Sequence, residues 1–115
     1  MVKYLFYSTA DEAQDNIWSY TCGKWGEKQA EKYITNLHKH LQSLADKDKI
    51  WRSLPDSINL NKQIYFSRYE HHYIFFKQFK NGNIGILSIL HKKSDIPVHL
   101  ANDLEKIELF SEDKP

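Results

Sequence analysis

The sequence predicts an α+β domain in which a short strand leads into a helical hairpin and three more strands follow. This β-α-α-β-β-β order places the hairpin on one face of a mainly antiparallel sheet. Three observations carry the prediction. Between Ala10 and Ala45 apolar residues recur at helical spacing on both sides of a corner bracketed by Gly23 and Gly26. From Ile64 onward the apolar runs are short, aromatic and β-branched, and turn residues such as Asn81-Gly82 separate them. The last run, Ile86-Leu87-Ser88-Ile89-Leu90-His91, ends on a histidine and is closed by Asp95-Ile96-Pro97. Polar groups at the end of a packed strand stand on a rigid platform, where function is commonly mounted.

Each element follows from its residues. Tyr4-Leu5-Phe6-Tyr7 is short, aromatic and β-prone, and Thr9 with Glu12 has capping-box spacing for the helix that follows. Ala10, Ala13, Ile17 and Tyr20 give a helix over about 9–23, ended by the two glycines. A second helix from Glu27 to Ala45 gathers Ala30, Tyr33, Ile34, Leu37, Leu41 and Leu44 on one face. Asp46-Lys47-Asp48-Lys49 is a solvated stop, and Ile50 to Pro55 a connector that Trp51 pins to the core. The strands are Ile64–Tyr69, His72–Phe79 and Ile84–Leu90, joined as a meander. Val98 to Leu104 forms a helical turn or two, and Glu105 to Pro115 an acidic, flexible tail. The domain is thus residues 1–104 and the tail 105–115. Both alternating sets of strand positions are apolar, so the face away from the hairpin needs a cover, either a partner chain or the tail.

Composition narrows the function classes. The 115 residues fit one domain, and a net charge of +1 gives the whole molecule no nucleic-acid or membrane signature. The distribution is less even: residues 61–94 carry six basic groups against Glu70, and residues 95–115 carry two against six acids. A basic surface of this kind draws an acidic partner. Cys22 stands alone, which suits a reducing compartment, and neither a signal-peptide core nor a membrane span is present, so a cytoplasmic location is expected. No cofactor or metal is expected. His38 and His40 point apart on a helix, and His71 and His72 point apart on a strand. His91 reads as a histidine closing its strand through Asp95, and Trp18, Trp25 and Trp51 as packing residues, with Gly26 fixing the helical corner.

The element order resembles the small bacterial ParE/RelE toxins, in particular the ParE-like branch, over roughly residues 4–100. Ser8-Thr9-Ala10 with Ile17-Trp18-Ser19-Tyr20, then Trp25-Gly26, then Gln29-Ala30 with Tyr33 and Leu37, is similar to the family's first helix, Trp-Gly corner and second helix. His72-Tyr73-Ile74-Phe75-Phe76-Lys77 resembles its penultimate strand, and Ile89-Leu90-His91 with Asp95 its closing motif. Ser88 and Tyr65 stand where many relatives carry arginine, with Arg68 as a partial substitute.

The resemblance implies the toxin of a toxin-antitoxin system, neutralised by a cognate, ParD-like antitoxin laid between hairpin and sheet. Its implied target is DNA gyrase, held in its cleaved-DNA complex by binding and without turnover, with no sequence-specific nucleic-acid contact of its own. Such binding needs apolar and basic anchors, for which Tyr65, Arg68, Tyr73, Phe75, Lys77, His91 and Lys92 are the candidates, with Trp25, Gly26 and Asp95 structural. Two alternatives stand beside it. One is a RelE-type ribosome-dependent mRNA endonuclease, drawing acid, base and cation from His91, Lys92, Lys93, Arg68, Tyr65 and His99. The other is a diverged, non-toxic module that only binds an antitoxin.

Overall fold

The computed structural model describes residues 3–47, 51–54 and 64–110. In chain order the elements are β1 (Tyr4–Phe6), α1 (Ser8–Trp25), α2 (Glu27–Ala45), β2 (Arg52–Ser53), β3 (Tyr65–Tyr69), β4 (His72–Gln78), β5 (Ile84–His91) and α3 (Ile96–Phe110). The sheet order is β1-β5-β4-β3-β2, with β1 parallel to β5 and every other pair antiparallel. The α+β class and the hairpin on one face are as the sequence predicts.

The two helices differ in how legible their ends are. α2 occupies the predicted residues, with Leu37, Leu41, Leu44 and Ala45 buried on its inner stripe. α1 instead runs through Gly23 to Trp25, because a lone interior glycine costs a helix only about 1 kcal/mol. Gly26 is the real corner: its φ of 94° lies in the left-handed region, and its N–H closes the last turn onto the Cys22 carbonyl. The Thr9–Glu12 capping box does not form. Tyr7 is the residue before α1, and the Thr9 hydroxyl donates instead to the Leu87 carbonyl at 2.7 Å.

That carbonyl is available because β5 is bulged. Phe76 pairs with Ile86 while Phe75 pairs with Ser88, leaving Leu87 as the extra residue. Beneath the hairpin, Ile74, Phe76, Ile84, Ile86 and Ile89 meet Ala10, Ile17, Leu37, Leu41 and Leu44 in one core. Trp51 closes its edge, donating from Nε1 to the Leu44 carbonyl and crossing the Phe76 ring edge-on at 5.2 Å. The connector after it pairs with β3 as a two-residue edge strand that the sequence did not predict.

The largest departure is at the C-terminus. Residues 105–110, predicted as the start of a tail, continue a 15-residue helix that begins at Ile96. Pro97 sits in its first turn, where the missing N–H is harmless. Leu100, Leu104 and Ile107 fall on one face and bury against Leu87, Phe75 and Tyr7 on the sheet side opposite the hairpin. Of the two covers expected for this face, a partner chain or the C-terminal segment, the second lies over β5, as a helix. Residues 111–115, the rest of the predicted tail, lie outside the described residues. Among the described residues no helix is long and apolar enough to cross a membrane.

Candidate partner-binding cleft

The seven predicted contact residues do not form one surface. Phe75 is 2% exposed beneath α3 and belongs to the core. Tyr65 packs on the hairpin side, its ring 5.1 Å from Trp51. Arg68 and Tyr73 are neighbours across the β3–β4 ladder on the opposite side, the guanidinium 5.9 Å from the tyrosine ring. Lys77 stands near the far end of β4, beside Phe79. His91 and Lys92 form a second pair, at the exposed end of β5.

That end opens into a cleft of 1040 Å³ between the hairpin and the sheet. Tyr20 and Trp25 form part of its α1 wall, Tyr33 and Lys32 belong to α2, and the β3–β4 turn with His91 closes the other side. Trp25, predicted as a packing residue, is 66% exposed here, and Tyr20 is 65% exposed. Large aromatics left in solvent beside a concave wall are the anchors that protein partners use.

Histidines define the sheet end. The turn between Tyr69 and His72 has only two residues, and Glu70 takes a φ of 52°, a strained value for a side chain with a Cβ. Two bonds hold it: Arg68 Nε donates to the Glu70 carbonyl, and the Lys92 N–H donates to the His71 carbonyl at 2.8 Å. His72 is paired with His91, whose ring it meets edge-on at 5.2 Å, while His71 stacks on His91 at 6.3 Å. The predicted His91–Asp95 contact is replaced by a bond from the Lys93 N–H to His91 Nδ1. Asp95 instead accepts from His99 at the start of α3 through its backbone carbonyl.

Protonation differs sharply within this group. Burial first, then the neighbouring His91 and His71, push His72 down to about 4. It is neutral at pH 7, and its Nδ1 shares a hydrogen bond with the Tyr33 hydroxyl at 2.8 Å. Burial, reinforced by Tyr69, raises Tyr33 to about 12. His91 is lowered by partial desolvation and then by His71, Lys93 and Lys92. The other helix histidines face apart as the sequence predicts: His38 bonds Tyr4 and Gln14, and His40 bonds Ser67. Among the described residues, no three His, Cys, Asp or Glu side chains are placed to hold a metal ion.

Sequence reasoning missed the cleft's aromatic wall and its histidine end. Tyr20 lies on a helical stripe that reads equally well as core, and a bulge sets the register that brings His72 to His91. Ser88, noted for standing where relatives carry arginine, is fully buried, and its hydroxyl donates to Asp103 Oδ2 on α3 at 2.6 Å.

Comparison with known proteins agrees with this architecture. Residues 4–96 match the family described as the ParE toxin of the type II toxin-antitoxin system parDE. The chain is 27% identical over 105 residues to Toxin ParE of Escherichia coli, spanning 91% of this chain and 99% of that protein. It is 24% identical over 98 residues to Toxin ParE1 of Mycobacterium tuberculosis (strain CDC 1551 / Oshkosh), spanning 85% of this chain and 97% of the relative. With that match running from β1 through the hairpin and the whole meander, the chain belongs to the ParE toxin family of type II toxin-antitoxin systems.

Proposed function

We propose that the protein inhibits DNA gyrase by binding and stabilising its cleaved-DNA complex, without turnover, and that a cognate antitoxin neutralises it by filling the cleft between hairpin and sheet. The observation that carries the first half is the Arg68–Tyr73 pair. α3 lies over β5 and against α1, leaving Arg68 exposed and Tyr73 half-buried on the same side of the sheet. Arginine and tyrosine on a rigid strand pair are the side chains that dominate binding energy at protein interfaces. The exposed Tyr20 and Trp25 support the second half, since they offer a helical segment two aromatic anchors in the cleft wall.

A supercoiling assay with purified gyrase tests the target. Loss of supercoiling with accumulation of cleaved DNA is expected, and Arg68→Ala should weaken it about tenfold or more, the ordinary effect of truncating an interface anchor. Gyrase that is unaffected would discard this reading. One observation favours a second reading, the RelE-type endonuclease: His91 lies beside Lys92 and Lys93 at the exposed strand end, as a phosphate-cleaving site would require. Ribosome-dependent cleavage of messenger RNA, lost in His91→Ala, would establish it. Unimpaired growth at high levels of the soluble protein would instead point to a non-toxic antitoxin-binding module.

A further inference from the structure

We propose that the imidazoles of His71 and His91, with Lys92 and Lys93 beside them, form a receptor for carboxylate side chains of the segment that enters the cleft, so that this partner binds with uptake of protons. The inference rests on the reading that the cleft receives an antitoxin, and it adds the chemistry of the contact and its dependence on pH.

Geometry is the first support. The His71 and His91 rings lie nearly parallel, 25° apart, and both residues are exposed. Their backbones are fixed by the Lys92-to-His71 bond and by the Ser94 N–H donating to the His91 carbonyl. His72, kept neutral by burial and by the neighbouring His91 and His71, and bonded to Tyr33, is a rigid backstop. In the free protein the Lys93 N–H occupies His91 Nδ1, which leaves Nε2–H as the donor a partner can reach.

Charge is the second support. Lys92 and Lys93 have no ion-pair partner among the described residues, so two cations flank two imidazoles with no carboxylate bound to them. Lys92 and Lys93 stand outside the cleft lining beside His91, and the charged groups that line the cleft besides the histidines are Glu12 on α1, Lys32 on α2, Glu70 in the turn and Asp103 on α3, the last already engaged by Ser88. A proton on His91 is opposed by His71, Lys93 and Lys92 until an outside carboxylate approaches. Binding therefore favours the protonated His91 ring, and affinity rises as pH falls through the histidine range. A peptide suits the cleft better than a nucleic acid, because its carboxylates can be spaced to reach His71 and His91 while apolar side chains between them pack on Tyr20 and Trp25 and pass Glu12 and Glu70 without a charge, which an unbroken phosphate backbone cannot do.

The test is a titration of the full chain with a blocked peptide carrying two glutamates spaced among leucines and alanines, at about pH 8 and about pH 5.5, followed by NMR of the histidine rings. Binding about tenfold tighter at the lower pH is expected, the effect of raising one histidine by one pH unit. The His91 midpoint should rise with peptide, and the double variant His71→Asn/His91→Asn should lose the pH dependence. His99→Asn, on α3 and outside the cleft lining, should keep it. Equal affinity at both pH values, a pH dependence that survives the double variant, or tighter binding of a thymidine hexanucleotide than of the peptide would each overturn the proposal. Failure of the underlying reading shows differently, as a neutralising antitoxin whose binding is unchanged by Trp25→Ala.

Discussion

The two faces of the sheet are covered by helices in different ways. Under the α1–α2 hairpin, apolar packing is interrupted by polar seams: His38 to Tyr4 and Gln14, His40 to Ser67, and His72 to Tyr33. Under α3 the contacts are apolar, with Ser88 and Asp103 as the polar pair. A cover stitched by imidazoles depends on their protonation, whereas one held by leucine and isoleucine depends on buried area. The covers should thus fail under different stresses, and the cleft opens on the face whose cover is sensitive to acid.

The sharpest way to break this comparison is to remove equal volume from each side. Leu41 in α2 and Leu100 in α3 are both fully buried. Truncation of either to alanine should lose about 2–5 kcal/mol in chemical denaturation, because the cavity cannot refill. If Leu100→Ala lost less than about 1 kcal/mol, α3 would be an appendage and not a second cover. Next in size is Gly85→Ala at the heart of the sheet. The new methyl would lie 2.7 Å from Phe79 Cζ and 2.8 Å from Tyr7 Cε1, and Tyr7 is 1% exposed in the α3-side core. Overpacking of this kind should cost about 1–3 kcal/mol. An unchanged melting temperature would mean that those rings yield freely.

Much of this fold can be read from the residues, and the failures share a cause. α2 and the meander strands carry strong periodicity and clear turn residues, so their residues alone place them. The sequence ends α3 too early because acidic residues outnumber basic ones after Asp95, which suggests a solvated tail. Yet Leu100, Leu104 and Ile107 already held the helical stripe, and the neglected fact was that an apolar sheet face needed it. The histidine end fails for another reason. Counting back from the Asn81-Gly82 loop pairs His91 with His71, and the extra Leu87 shifts the register so that His91 meets His72. A bulge depends on tertiary contacts such as Thr9 to Leu87, which no local pattern announces. Trp25 departs from expectation because indole size argues for burial, while its place at the last turn of α1 turns it into solvent.

The acid sensitivity of the hairpin face gives the third prediction. His72 is lowered to about 4 and His38 is also lowered, both first by burial, so the unfolded chain takes up protons that the folded one refuses. Stability is fully present above the ordinary histidine value near pH 6.5 and falls as pH drops from there toward about 4. At a half-buried ring, solvent screening keeps the His72 share to roughly 1–2 kcal/mol. Urea denaturation across this range should show the slope, and His72→Gln should flatten it. A slope that His72→Gln leaves unchanged would remove the polar seam from the account of this face.

The smallest effects come from two glycines in the hairpin, where one chemical change should act with opposite sign. Gly23 lies inside α1, and a methyl there meets nothing within 4 Å, so Gly23→Ala relieves the entropic weakness of glycine in a helix. A gain of about 0.5–1 kcal/mol is expected. Gly26 has equal space around it, but its φ of +94° is one that L side chains rarely adopt. Gly26→Ala should therefore lose about 1 kcal/mol through the backbone alone. Thermal melts of the two variants compare them directly, with the Leu100→Ala protein as a reference for the α3 side. Matching gains would show that the corner tolerates a helical φ, and the angle between α1 and α2 would then be set by the polar seams and the core beneath them instead of by Gly26.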